Sequence, residues 1–247
     1  MRVTVDVKLN WQEDEKALPT AAAQALNVRR ADILGFTVQR RSIDARRGAV
    51  SVVYRLSVAL KNGVRCSAPA AEEPVLPVPV IGTERLHHRP VVIGAGPCGL
   101  MAALALSEQG YAPLVLERGE DIQDRAVRIR DFFAGAPHDE NSNVLFGDGG
   151  AGTFSDGKLT ARTRSGFTAL VINALIAHGA PAEICIDAKP HIGTDRLRHV
   201  IKAIKDTVIR RGGAWINGAR MCDYKTENEA LSAIVYEKDG QIGRAHV

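Results

Sequence analysis

Residues 90–119 read PVVIGAGPCGLMAALALSEQGYAPLVLERG, a stretch that leaves a chain little choice of local fold. Val91-Val92-Ile93 predicts a buried strand, and Gly94-x-Gly96-x-x-Gly99 a tight turn. Leu100 to Gln109 predicts a helix stopped by Gly110, and Leu114-Val115-Leu116 a second strand, followed at once by Glu117. Each part has a physical task. Gly94 permits the strand-to-helix turn, and Gly96 lets backbone approach a pyrophosphate. Gly99, with Ala103 one turn on, lets the helix sit close to the sheet. The helix N-terminus presents N–H groups and its positive dipole end to phosphate oxygens. Glu117, 23 residues after Gly94, is placed to accept hydrogen bonds from ribose hydroxyls and to repel a 2′-phosphate. Ala95, Pro97 and Cys98 complete the turn and belong to the same expected contact set. At a helix start a Cys98 thiolate would be stabilised, but without a resolving cysteine nearby its reading is small-residue packing. The fingerprint alone does not separate FAD from NAD.

A second glycine-rich stretch, NVLFGDGGAGTFSDGKLT at 143–160, has Gly147, Gly149, Gly150, Gly152 and Gly157. Such backbone lacks side-chain walls and can bring amides against a ligand. A plain nucleotide-binding unit has no need for it. Phe146, Phe154 and Leu159 anchor it as a shaped binding loop. Thr153, Asp148, Ser155, Asp156 and Lys158 supply its polar groups.

These two motifs, followed by AKPHIGTDRLRHVIKAI, resemble the bacterial FAD-dependent dehydrogenases of largely unassigned substrate, distant relatives of the two-dinucleotide-binding flavoproteins. QRRSIDAR at 39–46 is similar to the small domain that precedes the flavin domain there. The resemblance covers nearly all of residues 1–240. It implies FAD with its ADP half on Gly94, Gly96, Gly99 and Glu117, Arg118 close to the adenosine or pyrophosphate, and the 147–157 loop near the flavin half. It also implies hydride or electron transfer through the flavin, with NAD(P)H as a candidate electron donor. It supplies neither a substrate nor catalytic residues.

The expected architecture is α/β: a Rossmann-type FAD-binding domain preceded by a small α+β domain. Val3, Val5, Val7 and Leu9 alternate with polar residues as a half-buried strand. Glu13 to Leu26 reads as a helix with acidic first turns. Phe36–Ser42 and Val50–Leu60 read as strands. Residues 1–68 thus form the small module. Pro69, Pro74, Pro77, Pro79 and Pro90 mark an extended linker or edge strand at 69–89, and the dinucleotide domain runs over 90–241. Helices are expected at Phe167–His178 and Asp195–Arg211, the latter capped by Thr194 or Asp195, and strands at Ala214–Ile216 and Leu231–Glu237. His191, just ahead of the second helix, is read as structural over proton donor.

Charge and cysteine usage exclude other classes. Of the 247 residues 45% are hydrophobic, enough to build a core. Residues 1–88 hold 13 Lys/Arg against 9 Asp/Glu, and the remainder is balanced. The arginine pairs Arg29–Arg30, Arg40–Arg41 and Arg46–Arg47 lack interleaved aromatics, so they read as solvated edges in preference to a nucleic-acid surface. Cys66, Cys98, Cys185 and Cys222 form no CxxC pair, which argues against a zinc knuckle or thiol switch. No metal site is expected. Scattered thiols, no signal-peptide pattern and no membrane-length apolar run give a cytoplasmic expectation, without a membrane partner.

Asp239-Gly240 is a hairpin turn that demands a return strand. The last six residues, IGRAHV, also match one frame of a common sequencing-library adapter. Native sequence is therefore expected to end near Gln241, with 242–247 a non-native tail and the chain an amino-terminal fragment. Two rivals stand beside the flavoprotein reading. One is an NAD-dependent dehydrogenase, and the other a non-redox FAD-binding protein associated with RNA.

Overall fold

The computed structural model describes residues 1–46, 48–72, 75–78, 80, 82–83, 86–159 and 165–247. Arg47 of the third arginine pair and Pro74 and Pro79 of the expected linker lie outside the described residues. The chain forms two compact units. One comprises Met1–Pro77, Thr160–Asn173 and Pro181–His191; the other Val78–Leu159, Ala174–Ala180 and Ile192–Val247.

The first unit is an antiparallel sheet in the order β1 (Arg2–Asn10), β3 (Ser51–Leu60), β2 (Ile33–Asp44), with helix α1 (Leu18–Leu26) packed on it. The alternation at the N-terminus has its expected use. Val3 and Val7 face Val58 and Tyr54 in register and are buried with Leu56, Leu18, Ala22 and Leu26. Each such aliphatic side chain contributes about 1.5–3 kcal/mol by leaving water. On the polar face Arg55 lies directly across from Asp6 and grips it through Nε at 2.8 Å, which holds the Asp6 carboxyl below its usual range.

The helix differs from expectation at its start. Asp14 caps a single 3-10 turn at Glu15–Ala17, and α1 begins only at Leu18 with Pro19 in its first turn, so the acidic residues precede the helix. Asn27, left-handed at φ 52°, ends it. The second strand is longer than Phe36–Ser42 because its pairing with β3 continues from Ile33 to Asp44. Of the paired arginines, Arg29 bonds Asp32, Arg41 bonds Asp187 and Arg46 bonds Asp44, so much of the local basicity is neutralised in place. The Arg41 backbone also exchanges hydrogen bonds with Ile186 and Ala188 at 2.7 and 2.9 Å. The Pro69–Ala71 stretch lies along β1, with the Thr4 amide donating to Pro69 O at 2.8 Å.

The second unit holds a parallel sheet in the order β4 (Val91–Ile93), β5 (Leu114–Leu116), β6 (Ala214–Ile216). Helices α2 (Pro97–Glu108) and α5 (Thr194–Arg210) pack on each other and on these strands. Antiparallel strands β7 (Arg220–Glu227), β8 (Ala230–Lys238) and β9 (Gln241–His246) supply Ala219's neighbours Ile234 and Ala245 to a core shared with Leu114 and Leu116. Covered on both faces, β5 is wholly buried. This is a mixed α/β fold with a Rossmann-like β4–α2–β5 unit.

Several expectations need correction here. Strand β4 is not buried: Ile93 is 48% exposed, because β5 is its one strand partner among the described residues. Helix α2 starts three residues earlier than Leu100, since Pro97 needs no N–H partner in the first turn. Gly193, not Thr194 or Asp195, is the N-cap of α5, and no side chain caps it. Two elements were not anticipated: β7, and helix α3 (Ile122–Phe133), capped by Asp121; the expected helix at Phe167–His178 is α4 (Gly166–Ala177). Asp239 and Gly240 take φ of 51° and 73°, the mirror-image turn that a tight hairpin requires, and residues 241–246 return along β8. Among the described residues, no helix is long and apolar enough to cross a membrane.

Candidate dinucleotide-binding site

The site forms where β4 gives way to α2. Gly94 turns the chain at φ 88°, and the Gly94 amide donates to Leu116 O at 2.8 Å, tying the turn to the end of β5. Gly99 has a specific reason to be glycine: a Cβ there would lie 1.9 Å from Gly94 O and 3.3 Å from Val92 Cγ1. The first turn of α2 can close on the strand only without that carbon. At Gly94 and Gly96, by contrast, nothing lies within 4 Å of where a Cβ would stand. A cradle is therefore open at the amino end of α2, where the Cys98 and Gly99 amides fall in the turn that lacks intrahelical acceptors. Cys98 is itself exposed.

Glu117 follows β5 and is 3% exposed. One carboxylate oxygen accepts from the Ala95 amide at 2.6 Å and the other from the Gly119 amide at 2.8 Å. The acid thus points into the turn. A carboxylate offers about four lone-pair positions, so two remain for further donors. Arg118, next along, stacks its guanidinium 4.8 Å from the Phe146 ring centroid.

The second glycine-rich stretch folds onto the same corner. Gly149 N donates to Ala95 O at 3.0 Å, and Gly150 backs onto the ring of Pro97. Thr153 is fully buried and its hydroxyl donates to Asp148 O at 3.1 Å, while Gly152 lies in the single 3-10 turn Ala151–Thr153. Gly147 is buried over the guanidinium of Arg125. The expected set divides at this point. Gly94 to Gly99, Glu117 and Gly147 to Thr153 come together, whereas Ser155, Asp156 and Lys158 are exposed, with Asp156 and Lys158 paired at 2.7 Å. His191 is exposed as well.

Of the charges beneath the corner, Arg125 and Lys205 were missed at the level of sequence, whereas Asp148 belongs to the expected polar set. Arg125 is fully buried on α3. Its Nε donates to Asn143 O at 2.8 Å and its guanidinium lies 4.7 Å from the Phe154 ring centroid. Asp148 is 1% exposed, and burial pushes its carboxyl up to about 7. Lys205 bonds Asp121 and Asn217, each at 2.7 Å, beside the segment that follows Glu117. A signal for Arg125 did exist: Ile122, Arg125 and Ile129 follow helical spacing, which puts a cation on the buried stripe of α3. Among the described residues, no group of His, Cys, Asp and Glu is arranged to hold a metal ion.

Comparison with known proteins agrees with this geometry over the core of the unit. Residues 92–152 match a family model described as an NAD(P)-binding Rossmann-like domain, and residues 1–59 match a domain of unknown function (DUF8436). A protein of Clostridium beijerinckii, described only as uncharacterized, is 38% identical over 245 residues, covering 96% of this chain and 44% of its own length. The chain therefore spans less than half of that relative. Among solved structures, the 3-ketosteroid-Δ4-(5α)-dehydrogenase of Rhodococcus jostii is similar at TM-score 0.40 and 14% identity, over 70% of this chain and 47% of its own. The FAD-complexed glycerol-3-phosphate dehydrogenase of Bacillus halodurans gives 0.39 and 12%, over 65% and 32%. Residues 92–152 of this chain are a Rossmann-like dinucleotide-binding domain.

Proposed function

We propose that this chain carries the ADP-binding part of a cytoplasmic FAD-dependent oxidoreductase. The carrying observation is the convergence at one corner. Gly94 and Gly96 leave an open cradle at the start of α2, the Glu117 carboxylate is held against Ala95 at 2.6 Å, and the Gly147–Thr153 turn closes on the same residues. The fit to a dinucleotide is good on this chain's own terms: a cradle that a Cβ would fill, helix-terminal amides for the diphosphate, and an acid with spare acceptor capacity for the ribose. Bound FAD would supply the hydride or electron chemistry, with NADH or NADPH as electron donor. Gly94 to Gly99 hold the diphosphate, Glu117 the ribose, Arg118 the adenine side, and the 147–153 turn shields the corner from water.

In this reading residues 1–68 are an accessory module, and residues 69–89 link it to the dinucleotide domain. The NAD-dependent alternative uses the same β4–α2–β5 unit but leaves the second glycine-rich turn without a task. Equilibrium dialysis of the purified chain against FAD and NAD⁺ separates the two, since FAD retention with flavin absorbance supports the proposal. Retention of NAD⁺ alone overturns it.

A further inference from the structure

The guanidinium of Arg125 is fully buried, yet among the described residues neither of its terminal nitrogens has a hydrogen-bond partner. Leaving such donors unmet inside a protein is strongly unfavourable. Their surroundings show what they serve. The point where a Cβ of Gly147 would stand is 2.6 Å from Arg125 Nη1 and 3.5 Å from Glu117 Oε1. The cation and the acid therefore flank one spot, and only a glycine, here at φ 89°, leaves room between them. Asp148, whose two carboxylate oxygens are also buried without partners, shares the field of this cation with Glu117. Desolvation lowers the Arg125 pKa, and these two carboxylates oppose that shift.

We propose, on the dinucleotide reading above, that Arg125 is a positioning residue for the ribose. It acts through Glu117, as the buried counter-charge that holds the carboxylate turned toward the corner when ribose hydroxyls join the Ala95 and Gly119 amides as its donors. Of the other charges that act on Asp148, Asp121 and Lys205 pair with each other at 2.7 Å. Arg125 is thereby the cation assigned to Glu117. Its contribution concerns the sugar and not the diphosphate, which is held by backbone at the start of α2.

The test compares ADP with 2′,3′-dideoxy-ADP, measured by calorimetry on the full chain and on Arg125→Met, Arg125→Lys, Glu117→Gln and the double variant Arg125→Met/Glu117→Gln. The wild-type chain is expected to prefer ADP by about tenfold or more. In Arg125→Met that preference falls to nearly one while dideoxy-ADP binds as before, and Arg125→Lys restores part of it. Glu117→Gln loses the preference too, and the double variant loses nothing further. Full discrimination by Arg125→Met, or equal weakening of both nucleotides, overturns the assignment of Arg125 while the dinucleotide site stands. Failure of the wild-type chain to bind either nucleotide overturns the dinucleotide reading itself, and the role of Arg125 with it. Should Arg125→Met not fold, Arg125→Gln, which keeps a hydrogen-bonding amide and loses the charge, decides: discrimination unchanged from wild type refutes the coupling, and its loss with dideoxy-ADP binding retained supports it.

Discussion

The Glu117 carboxylate accepts a hydrogen bond from the amide of Ala95 at 2.6 Å, joining the tip of β5 to the turn that follows β4. The same side chain accepts from the Gly119 amide at 2.8 Å, so one acid organises two stretches of backbone before any ligand arrives. Truncation should therefore cost stability as well as affinity. Glu117→Ala leaves two amides without their acceptor, and urea denaturation is expected to show a loss of about 2–4 kcal/mol. Unchanged stability would mean that these hydrogen bonds contribute nothing.

Gly99 and Gly96 should respond differently to the same added methyl group. A Cβ at Gly99 meets the backbone oxygen of Gly94 at 1.9 Å, and backbone there cannot move without distorting the turn. Gly99→Ala is expected to destabilise by about 1–3 kcal/mol or more. At Gly96 the space is open, so Gly96→Ala should melt like wild type and lose only dinucleotide affinity. Thermal melts with parallel binding measurements check both. Matching losses of stability would contradict the distinction.

Asp148 gives the protein a pH-dependent stability of defined sign. Its carboxyl titrates at about 7 in the folded chain against an ordinary value of 3.8, because burial disfavours the anion. The folded chain thus holds a proton that the unfolded chain releases, and stability falls as pH rises through this window and levels off above it. The expected contribution is of the order of 4 kcal/mol across the window. Asp148→Asn should be more stable than wild type at pH 8, and the gap should close toward pH 4. Denaturation midpoints at several pH values test this, and a variant with the same pH slope as wild type refutes it.

Residues 242–247 include most of β9, whose pairing with β8 helps cover Ile234 and Ala245. Removing them should lower stability by about 1–3 kcal/mol through lost apolar burial. Hydrogen exchange is expected to rise along β8. A truncated chain with unchanged β8 protection would show that β9 contributes nothing to the fold.

The β4–α2–β5 unit was legible because each of its signals is local: an apolar triplet, spaced glycines, a helix stop and an acid. The exposure of Ile93 was not, since an apolar triplet reads the same whether or not a second strand covers it. Strand β7, RMCDYKTE, escaped notice because almost all of its residues are exposed and no alternation marks a face. The late start of α1 turns on Pro19 together with Asp14, a competition between two caps that composition does not resolve. At the site, glycine spacing located the corner, while the buried charges Arg125 and Asp148 depended on tertiary packing. Only the position of Arg125 within an apolar helical stripe hinted at its burial.

Arg41 on β2 is met by Ile186, Asp187 and Ala188, and the ion pair to Asp187 spans 146 positions of sequence. During synthesis the first sheet must therefore wait, its Arg41 edge unfinished, until residues 186–188 have left the ribosome. Such late closure slows folding and lengthens the time for which that edge is open to misassembly. A nascent chain arrested before residue 186 should be cleaved by protease at β2 far more readily than one arrested after residue 191.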